Sequence, residues 1–203
     1  MKLYYAIGTC SFAPHVSLRE AGMTFDLVRF DTKKGTLDGG APITDVNEKG
    51  YVPVLELDNG ERLTEVSAVL QYIGDQKPES GIVPKAGTME RYRLLELLNF
   101  IGMEIHKIYW PIFHDGAEVE VTKAKEKLGR SFAFLQKQLG EKPFLMGEKF
   151  TVADAYLLTV LNWTKPGGID MNQWPGLKSY WSRLRERPAV RAALEAEGLL
   201  KRA

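Results

Sequence analysis

Apolar and polar residues in the first part of the chain are arranged as two strands with a helix between them. Residues 2–7 form a short, largely apolar run that ends at Gly8, and residues 25–31 alternate between apolar and polar side chains, as β-strands do. The stretch from Ser11 to Ala21 has a helical pattern. A helix between two strands in so short a span predicts a βαβ unit, with parallel strands and a right-handed crossover.

A hairpin and a second helix follow this unit. Two short strand-like runs flank the pair Asn59-Gly60, which is the strongest short-range signal for a β-hairpin. From Glu65 to Ile73, apolar residues recur on one helical face. Residues 32–50 are polar and glycine-rich, and they predict only a short helix near residues 43–47.

Every later pattern is helical. Apolar residues recur at spacings of three and four, which is typical of amphipathic helices in a bundle. One helix is apolar nearly all round, so we expect it to be buried. This helix starts at Thr151, which places Asp154 where a capping box needs an acid. We therefore predict a βαβ–ββα domain over residues 1–77, a linker over 78–87 and an all-helical domain over 88–203.

Composition and charge narrow the class of protein. The net charge is +1, so neither nucleic acid nor a membrane is an expected partner. The single cysteine cannot form an internal disulfide, which favours a reducing compartment. No apolar run approaches the roughly 20 residues that span a bilayer, and Gly8 and Thr9 interrupt any signal-peptide pattern. We expect a cytoplasmic protein.

The single cysteine, Cys10, falls where the first helix should begin. Unpaired N–H groups and the positive end of the helix dipole meet there, so we expect a stabilised thiolate and a lowered thiol pKa. Position 13 is Ala13, so there is no second cysteine at Cys-x-x-Cys spacing, and any disulfide must form with an outside thiol. The alternative is that Cys10 is a small buried apolar residue.

A polar stripe follows one predicted helix of the second half. Asn99, Met103, His106 and Trp110 are spaced four, three and four, and their stripe lies about 100° from the aliphatic one. We expect the aliphatic stripe to face the bundle and the polar stripe to face a cleft between the domains. A structural histidine is the alternative for His106.

The other histidines offer no metal chemistry. We interpret His15 and His114 as structural or solvent-facing. Three histidines and one cysteine at these spacings do not form a metal site, so no metal is expected.

These features together resemble the cytosolic glutathione transferases, and most of all their bacterial beta class. The resemblance rests on Cys10, the Val52-Pro53 segment, Glu65 before a helix and residues 99–107, and it runs essentially end to end. It implies an α/β thioredoxin-like N-terminal domain followed by an all-α helical bundle domain. It also implies a homodimer that uses glutathione as co-substrate and binds it partly as a mixed disulfide.

The resemblance further implies a set of site residues. Cys10, His106 and Ser11 are the expected catalytic residues. The expected glutathione-binding residues are Tyr5, Lys34, Val52, Pro53, Glu65, Val66, Asn99, Met103, Glu104 and Lys107. An apolar pocket for the electrophile is expected from Tyr109, Trp110, Phe113 and Trp163.

The groups of glutathione suit these residues. Its γ-glutamyl carboxylate needs N–H donors, which the start of the helix after Glu65 supplies, and its ammonium needs the Glu65 carboxylate. In the family, the backbone at Val52, before a cis Pro53, pairs with the cysteinyl amide. The family's lysine for the glycyl carboxylate is replaced by Gly35, which leaves Lys34, His106 or Lys107 for this task.

In the family, Asn99 and Glu104 can also reach the neighbouring subunit's glutathione.

The expected function is conjugation of glutathione to small electrophiles in detoxification, with thiol–disulfide exchange or peroxide reduction through Cys10 as a further possibility. The alternative is a non-catalytic module of the same fold that binds glutathione or apolar ligands.

Overall fold

The computed structural model describes residues 1–200, and its first part contains a five-stranded sheet. The strands are β1 (Lys2–Tyr5), β2 (Asp26–Asp31), β3 (Thr36–Leu37), β4 (Val54–Glu56) and β5 (Arg62–Thr64). Their order across the sheet is β3-β2-β1-β4-β5. β1 and β2 are parallel and β4 and β5 are antiparallel, so both predicted strand pairings are confirmed.

The stretch between β2 and β4 contains more structure than its sequence indicates. The predicted short helix is present as a 3-10 turn over Ile43–Asp45. The sequence analysis missed β3, which pairs Leu37 with Phe30 at the edge of the sheet. Two residues are too few for an alternating pattern to be recognised, and the surrounding residues are polar.

Helices make up most of the remaining structure. The α-helices are α1 (Phe12–Glu20), α2 (Val66–Gln76), α3 (Met89–Ile101), α4 (Trp110–Phe113), α5 (Glu118–Leu139), α6 (Val152–Leu161), α7 (Pro175–Arg185) and α8 (Pro188–Ala196). α1 packs against α2, α6 and α8, and therefore joins the sheet to the helical half. Among residues 1–200, no helix combines the length and the apolar character needed to cross a bilayer.

The start of α6 confirms the predicted capping box. The backbone N–H and the hydroxyl of Thr151 donate to Asp154 Oδ2 at 2.7 and 2.9 Å. The Leu145 N–H and the Tyr180 hydroxyl donate to the other carboxylate oxygen at 2.8 and 2.7 Å. Every residue of α6 is buried, as its apolar sequence predicts, so Asp154 is a structural residue of the core.

The segment after α3 departs from the predicted continuous helix. α3 ends at Ile101, residues Gly102–His106 form a turn of π-helix, and Lys107–Tyr109 form a 3-10 turn before α4. A π-turn is wider than an α-turn, so it rotates the residues that follow it about the helix axis. Three residues of the predicted polar stripe, Asn99, Met103 and His106, line one cavity, whereas Trp110 lines a second cavity that also includes His106.

Candidate functional site

The site is built on the turn that joins β1 to α1. Gly8 has a φ of +67°, which lies in the left-handed region that glycine adopts without a steric cost. The Ala6 N–H donates to Ser11 Oγ at 3.1 Å, and Thr9 Oγ1 lies 2.9 Å from the same oxygen. The Ser11 hydroxyl is buried in these bonds. Its side chain therefore stabilises the turn, while the neighbouring Cys10 is half-buried.

The Cys10 thiol points at the strand segment before β4. It donates to the Val52 carbonyl oxygen, with Sγ and O 3.4 Å apart. Burial raises the pKa of Cys10 to about 12 and outweighs the backbone N–H groups of Cys10 and Ser11, which lower it. The expected fall in the thiol pKa is therefore wrong, because desolvation is the larger effect. The group is a neutral thiol at physiological pH.

The turn into α2 has an unusual backbone. Glu65 has a φ of +67°, which is strained for a residue with a side chain, and such strain is concentrated at functional sites. The Glu65 carboxylate accepts from Lys49 Nζ at 2.8 Å and from the Tyr51 hydroxyl at 2.7 Å. Both hydrogen bonds lower the pKa of Glu65, and the bond from Lys49 has the larger effect. Glu65 is the N-cap residue of α2 but makes no side-chain capping bond, so the first N–H groups of the helix are not satisfied by its carboxylate.

The Val52–Pro53 peptide bond is cis, as the resemblance implies. The Val52 carbonyl is thus held between the Cys10 turn and the start of β4.

His106 is the last residue of the π-turn. Its Nδ1 lies 2.7 Å from the Tyr156 hydroxyl oxygen, and its ring makes an edge contact with Trp163 at a centroid distance of 5.0 Å. Burial, followed by the charge of Lys107, lowers the pKa of His106 to about 4. Burial also raises the pKa of Tyr156. At neutral pH the two side chains are therefore a neutral, hydrogen-bonded pair.

Two cavities meet at His106. The first, which we call the α2 cavity, has a volume of about 350 Å³ and lies between the start of α2 and the π-turn. The second, the Cys10 cavity, has a volume of about 470 Å³ and lies between the Cys10 turn and α4. His106 is part of the lining of both cavities.

The structure brings together most of the residues singled out in the sequence. The α2 cavity is lined by Glu65, Val66, Asn99, Met103, His106 and Lys107. The Cys10 cavity is lined by Cys10, His106, Tyr109, Trp110, Phe113 and Trp163.

Six expected site residues line neither cavity: Val52 and Pro53, which are described above, and four others. Tyr5 is buried with its ring 6.1 Å from that of His15. Glu104 forms an ion pair with Lys127 at 2.9 Å. Lys34 is part of the turn closed by Asp31, and the Ser11 hydroxyl faces its own turn. None of these side chains lines either cavity.

Other residues of the site were missed by sequence reasoning. Tyr156 lies in a helix whose residues are apolar nearly all round, so its sequence gave no sign that its hydroxyl reaches His106. Lys49 and Tyr51 lie in or next to the stretch without a clear predicted element, yet both contact Glu65. Ser67, in the first turn of α2, also lines the α2 cavity, and the helix-start argument could have found it.

The carboxyl-terminal part of the described chain fixes the Cys10 turn. Glu197 is fully buried, and its Oε2 accepts from the Gly8 N–H at 2.8 Å. Its Oε1 lies 2.8 Å from His15 Nδ1, and Arg19 Nε donates to His15 Nε2 at 3.0 Å. Because Nε2 accepts, Nδ1 carries the proton that is donated to Glu197. His15 is therefore a buried structural histidine.

Within the described residues, no group of three or more His, Cys, Asp or Glu side chains is arranged to hold a metal ion.

Comparison with known proteins identifies the family. The model of the glutathione S-transferase C-terminal domain matches residues 99–188. The chain is 38% identical over 200 residues to glutathione S-transferase GstA of Escherichia coli O157:H7, a match that covers 98% of this chain and all of that protein.

Solved structures of similar chains are also glutathione transferases. A glutathione transferase of Methylococcus capsulatus is 48% identical with a TM-score of 0.96, and the match covers 98% of this chain and 99% of that one. A sphingomonad glutathione S-transferase complexed with glutathione is 43% identical with a TM-score of 0.94, over 98% of this chain and all of that one.

The chain belongs to the glutathione S-transferase family. Membership confirms the predicted resemblance, the fold class and the enzyme class, with glutathione as the co-substrate of the family.

The raised pKa of Cys10 predicts slow alkylation. The thiolate is the form that reacts, and its fraction at neutral pH falls tenfold for each unit of pKa. We expect iodoacetamide to modify Cys10 at least about tenfold more slowly than free cysteine near neutral pH, as followed by mass spectrometry. The chain unfolded in denaturant should react at the ordinary rate, and Cys10→Ser should not react. Labelling of the folded protein as fast as free cysteine would contradict a desolvated thiol.

The lowered pKa of His106 predicts a pH-dependent stability. The unfolded chain takes up a proton near the usual value of 6.5, but the folded protein does so only near 4. The contribution of His106 to stability is therefore complete above pH 6.5 and is lost as the pH falls toward 4. We expect the stability difference between the wild type and His106→Asn, from urea unfolding, to fall over this range. If the NMR titration of the His106 ring gave a pKa at or above 6.5, the argument that burial lowers this pKa would be contradicted.

Proposed function

We propose that the protein conjugates glutathione to small electrophiles, with glutathione in the α2 cavity and the electrophile in the Cys10 cavity. The observation that carries this proposal is the meeting of the two cavities at His106, close to the Cys10 thiol. A tripeptide in the first cavity can then present its sulfur to the second.

The charged groups of glutathione have partners along the α2 cavity. The γ-glutamyl carboxylate would accept from the N–H groups of Val66 and Ser67 at the start of α2. The ammonium would bind the ionised Glu65 carboxylate, which the Lys49 and Tyr51 contacts keep deprotonated. The cysteinyl part would pair with the Val52 backbone, next to Pro53, in the way that an added strand does.

The glycyl carboxylate needs a cation. Of the three residues considered for this task, Lys107 and His106 line the α2 cavity and Lys34 does not. Since His106 is neutral at physiological pH, Lys107 is the cation of choice. Asn99 and Met103 would complete this wall, and Glu104 remains a candidate for contact with the glutathione of a neighbouring subunit.

The neutral Cys10 thiol would act as a donor rather than a nucleophile. An S–H group can donate a weak hydrogen bond to the glutathione thiolate and so favour its ionised form. The His106–Tyr156 pair supplies a second neutral group beside the same sulfur. Attack by the thiolate on an electrophilic carbon forms the C–S bond and expels the leaving group. Ser11 supports this arrangement by holding the turn.

The Cys10 cavity offers an apolar surface for the electrophile. The Tyr109 and Phe113 rings are stacked at 5.5 Å, and Trp163 meets Tyr109 edge-on at 5.4 Å. Such a wall suits a planar aromatic substrate. Trp110 is more exposed, at 58%, and would line the mouth of the cavity.

We also propose the homodimer and cytoplasmic location that the resemblance implies, with a glutathione-binding domain over residues 1–77 and a helical domain over 88–203. The exposed apolar side chains of Met89, Tyr92 and Phe134, on α3 and α5, support an interface between two chains.

A comparison of Cys10 variants tests the proposed role of the thiol. We expect Cys10→Ala to lower kcat/KM for an aryl halide about fivefold, which corresponds to one hydrogen bond of about 1 kcal/mol. Cys10→Ser, which restores a donor, should recover most of this loss. Reduction of a small mixed disulfide by glutathione should not depend on either change.

Two outcomes would contradict this role. Loss of conjugation in both variants would show that the reaction needs the Cys10 sulfur itself and that a hydroxyl donor cannot replace it. Loss of disulfide reduction alone would show a separate thiol–disulfide exchange through Cys10, by way of a mixed disulfide.

A further inference from the structure

The hydrogen bond between His106 and Tyr156 determines which ring nitrogen of His106 carries the proton. Nδ1 lies 2.7 Å from the Tyr156 hydroxyl oxygen, and it is the only hydrogen-bond partner of that hydroxyl among residues 1–200. A neutral imidazole has one protonated and one bare nitrogen. Either the hydroxyl donates to a bare Nδ1, or a protonated Nδ1 donates to the hydroxyl oxygen.

The first of these arrangements leaves no buried donor unpaired. Tyr156 is only 2% exposed, so its hydroxyl hydrogen needs an acceptor within the protein. If Nδ1 were protonated, that hydrogen would have no acceptor in the described part of the chain, and an unpaired buried donor is costly. The hydroxyl therefore donates to Nδ1, and the proton of the neutral ring lies on Nε2.

The Nε2 end of the His106 ring is open to the site. Over residues 1–200, the Tyr109 hydroxyl oxygen is the one buried side-chain nitrogen or oxygen that lacks a hydrogen-bond partner. His106 Nε2 also has no partner in this range, so it is not buried. The half-buried His106 side chain lines the α2 cavity and the Cys10 cavity. Nε2–H is therefore a free donor beside the space in which the proposed function places the glutathione sulfur.

Two fixed side chains hold the His106 ring in this orientation. Tyr156 lies in α6, in which every residue is buried and whose start is fixed by the capping bonds of Asp154. The Trp163 ring meets the imidazole edge-on at a centroid distance of 5.0 Å, and its Nε1 donates to the Gly8 carbonyl oxygen at 2.7 Å. A donor whose direction is fixed in advance needs little reorganisation when it stabilises a charge.

The tautomer determines what the His106 ring offers to an anionic sulfur. Because burial lowers the pKa of His106 to about 4, the ring is neutral at physiological pH and its charge plays no part. A bare Nε2 would direct a lone pair at the thiolate and repel it. A protonated Nε2 donates a hydrogen bond to the thiolate and so favours its ionised form.

From these observations we infer that Tyr156 is a positioning residue, which sets the tautomer of His106 so that Nε2–H donates to the glutathione sulfur. The hydroxyl acts through the imidazole ring. The identity of the bound sulfur rests on the proposed function, whereas the tautomer is a property of the protein alone.

Nitrogen-15 NMR of the protein without glutathione tests the tautomer. We expect a protonated Nε2 and a bare Nδ1 for His106 at neutral pH, with its signals identified by their loss in His106→Asn. His15 is an internal reference of the opposite kind, because Arg19 donates to its Nε2 and its Nδ1 is protonated. In Tyr156→Phe, the His106 signals should shift toward the Nδ1–H form, while those of His15 stay unchanged.

The thiol of bound glutathione reports the effect of this tautomer on the site. We expect Tyr156→Phe to raise the pKa of that thiol, followed by thiolate absorbance, and to lower kcat/KM for an aryl halide about fivefold, as for the loss of one hydrogen bond. In the His106→Asn background, Tyr156→Phe should cause no further loss, because the residue acts through the ring.

A second buried tyrosine provides the matched control. The Tyr180 hydroxyl donates to Asp154 Oδ1, also at 2.7 Å, and Tyr180 lines neither cavity of the site. Tyr180→Phe should lower the stability of the fold, but it should leave the His106 tautomer and the pKa of bound glutathione unchanged.

Three results would overturn the inference. They are a protonated Nδ1 at His106 in the wild type, a Tyr156→Phe variant whose glutathione pKa and kcat/KM equal those of the wild type, and an equal loss from Tyr156→Phe with and without His106. A wild type without conjugating activity would contradict the proposed function instead. The NMR measurement would still decide the tautomer, because it is made without glutathione.

Discussion

The backbone of Gly8 joins the two halves of the protein at the point where the site is formed. Its N–H donates to the buried Glu197 carboxylate at 2.8 Å, and its carbonyl accepts from Trp163 Nε1 at 2.7 Å. Both partners come from the helical half, whereas the turn itself carries Cys10. An uncompensated carboxylate in the interior would be strongly destabilising, so the His15 and Gly8 contacts of Glu197 are required in the folded state. The position of the thiol therefore depends on contacts almost two hundred residues away in the sequence.

Desolvation is the second constraint, and it determines the chemistry that the site can perform. The pKa of Cys10 is raised to about 12 and that of His106 is lowered to about 4, in both cases because burial disfavours the charged form. The Tyr156 hydroxyl and the Val52 carbonyl give these neutral groups hydrogen-bonding partners. A site of neutral donors is suited to holding another molecule's thiolate. In the proposed reaction, the ionised sulfur is that of glutathione.

Much of the fold could be predicted from the sequence because it is encoded locally. Alternation, the Asn59-Gly60 turn and helical spacing predicted four of the five strands and the main helices, and Asp154 was recognised from its capping position. The rest depends on contacts between distant residues. The sign of the Cys10 pKa shift follows from burial by segments far along the chain, which outweighs the local helix-start effect. The π-turn that separates the two ends of the predicted stripe has no signature in apolar spacing, since the flanking pattern remains helical.

Ultraviolet thiolate absorbance during a pH titration with bound glutathione tests most directly which sulfur is ionised. We expect one thiolate for each chain at neutral pH in the wild type and also in Cys10→Ser, because the ionised sulfur belongs to glutathione. The protein without glutathione should show no thiolate signal at that pH. A thiolate signal from the protein alone, or its loss in the Cys10→Ser complex, would show that Cys10 is the ionised group and would contradict the role of a neutral donor.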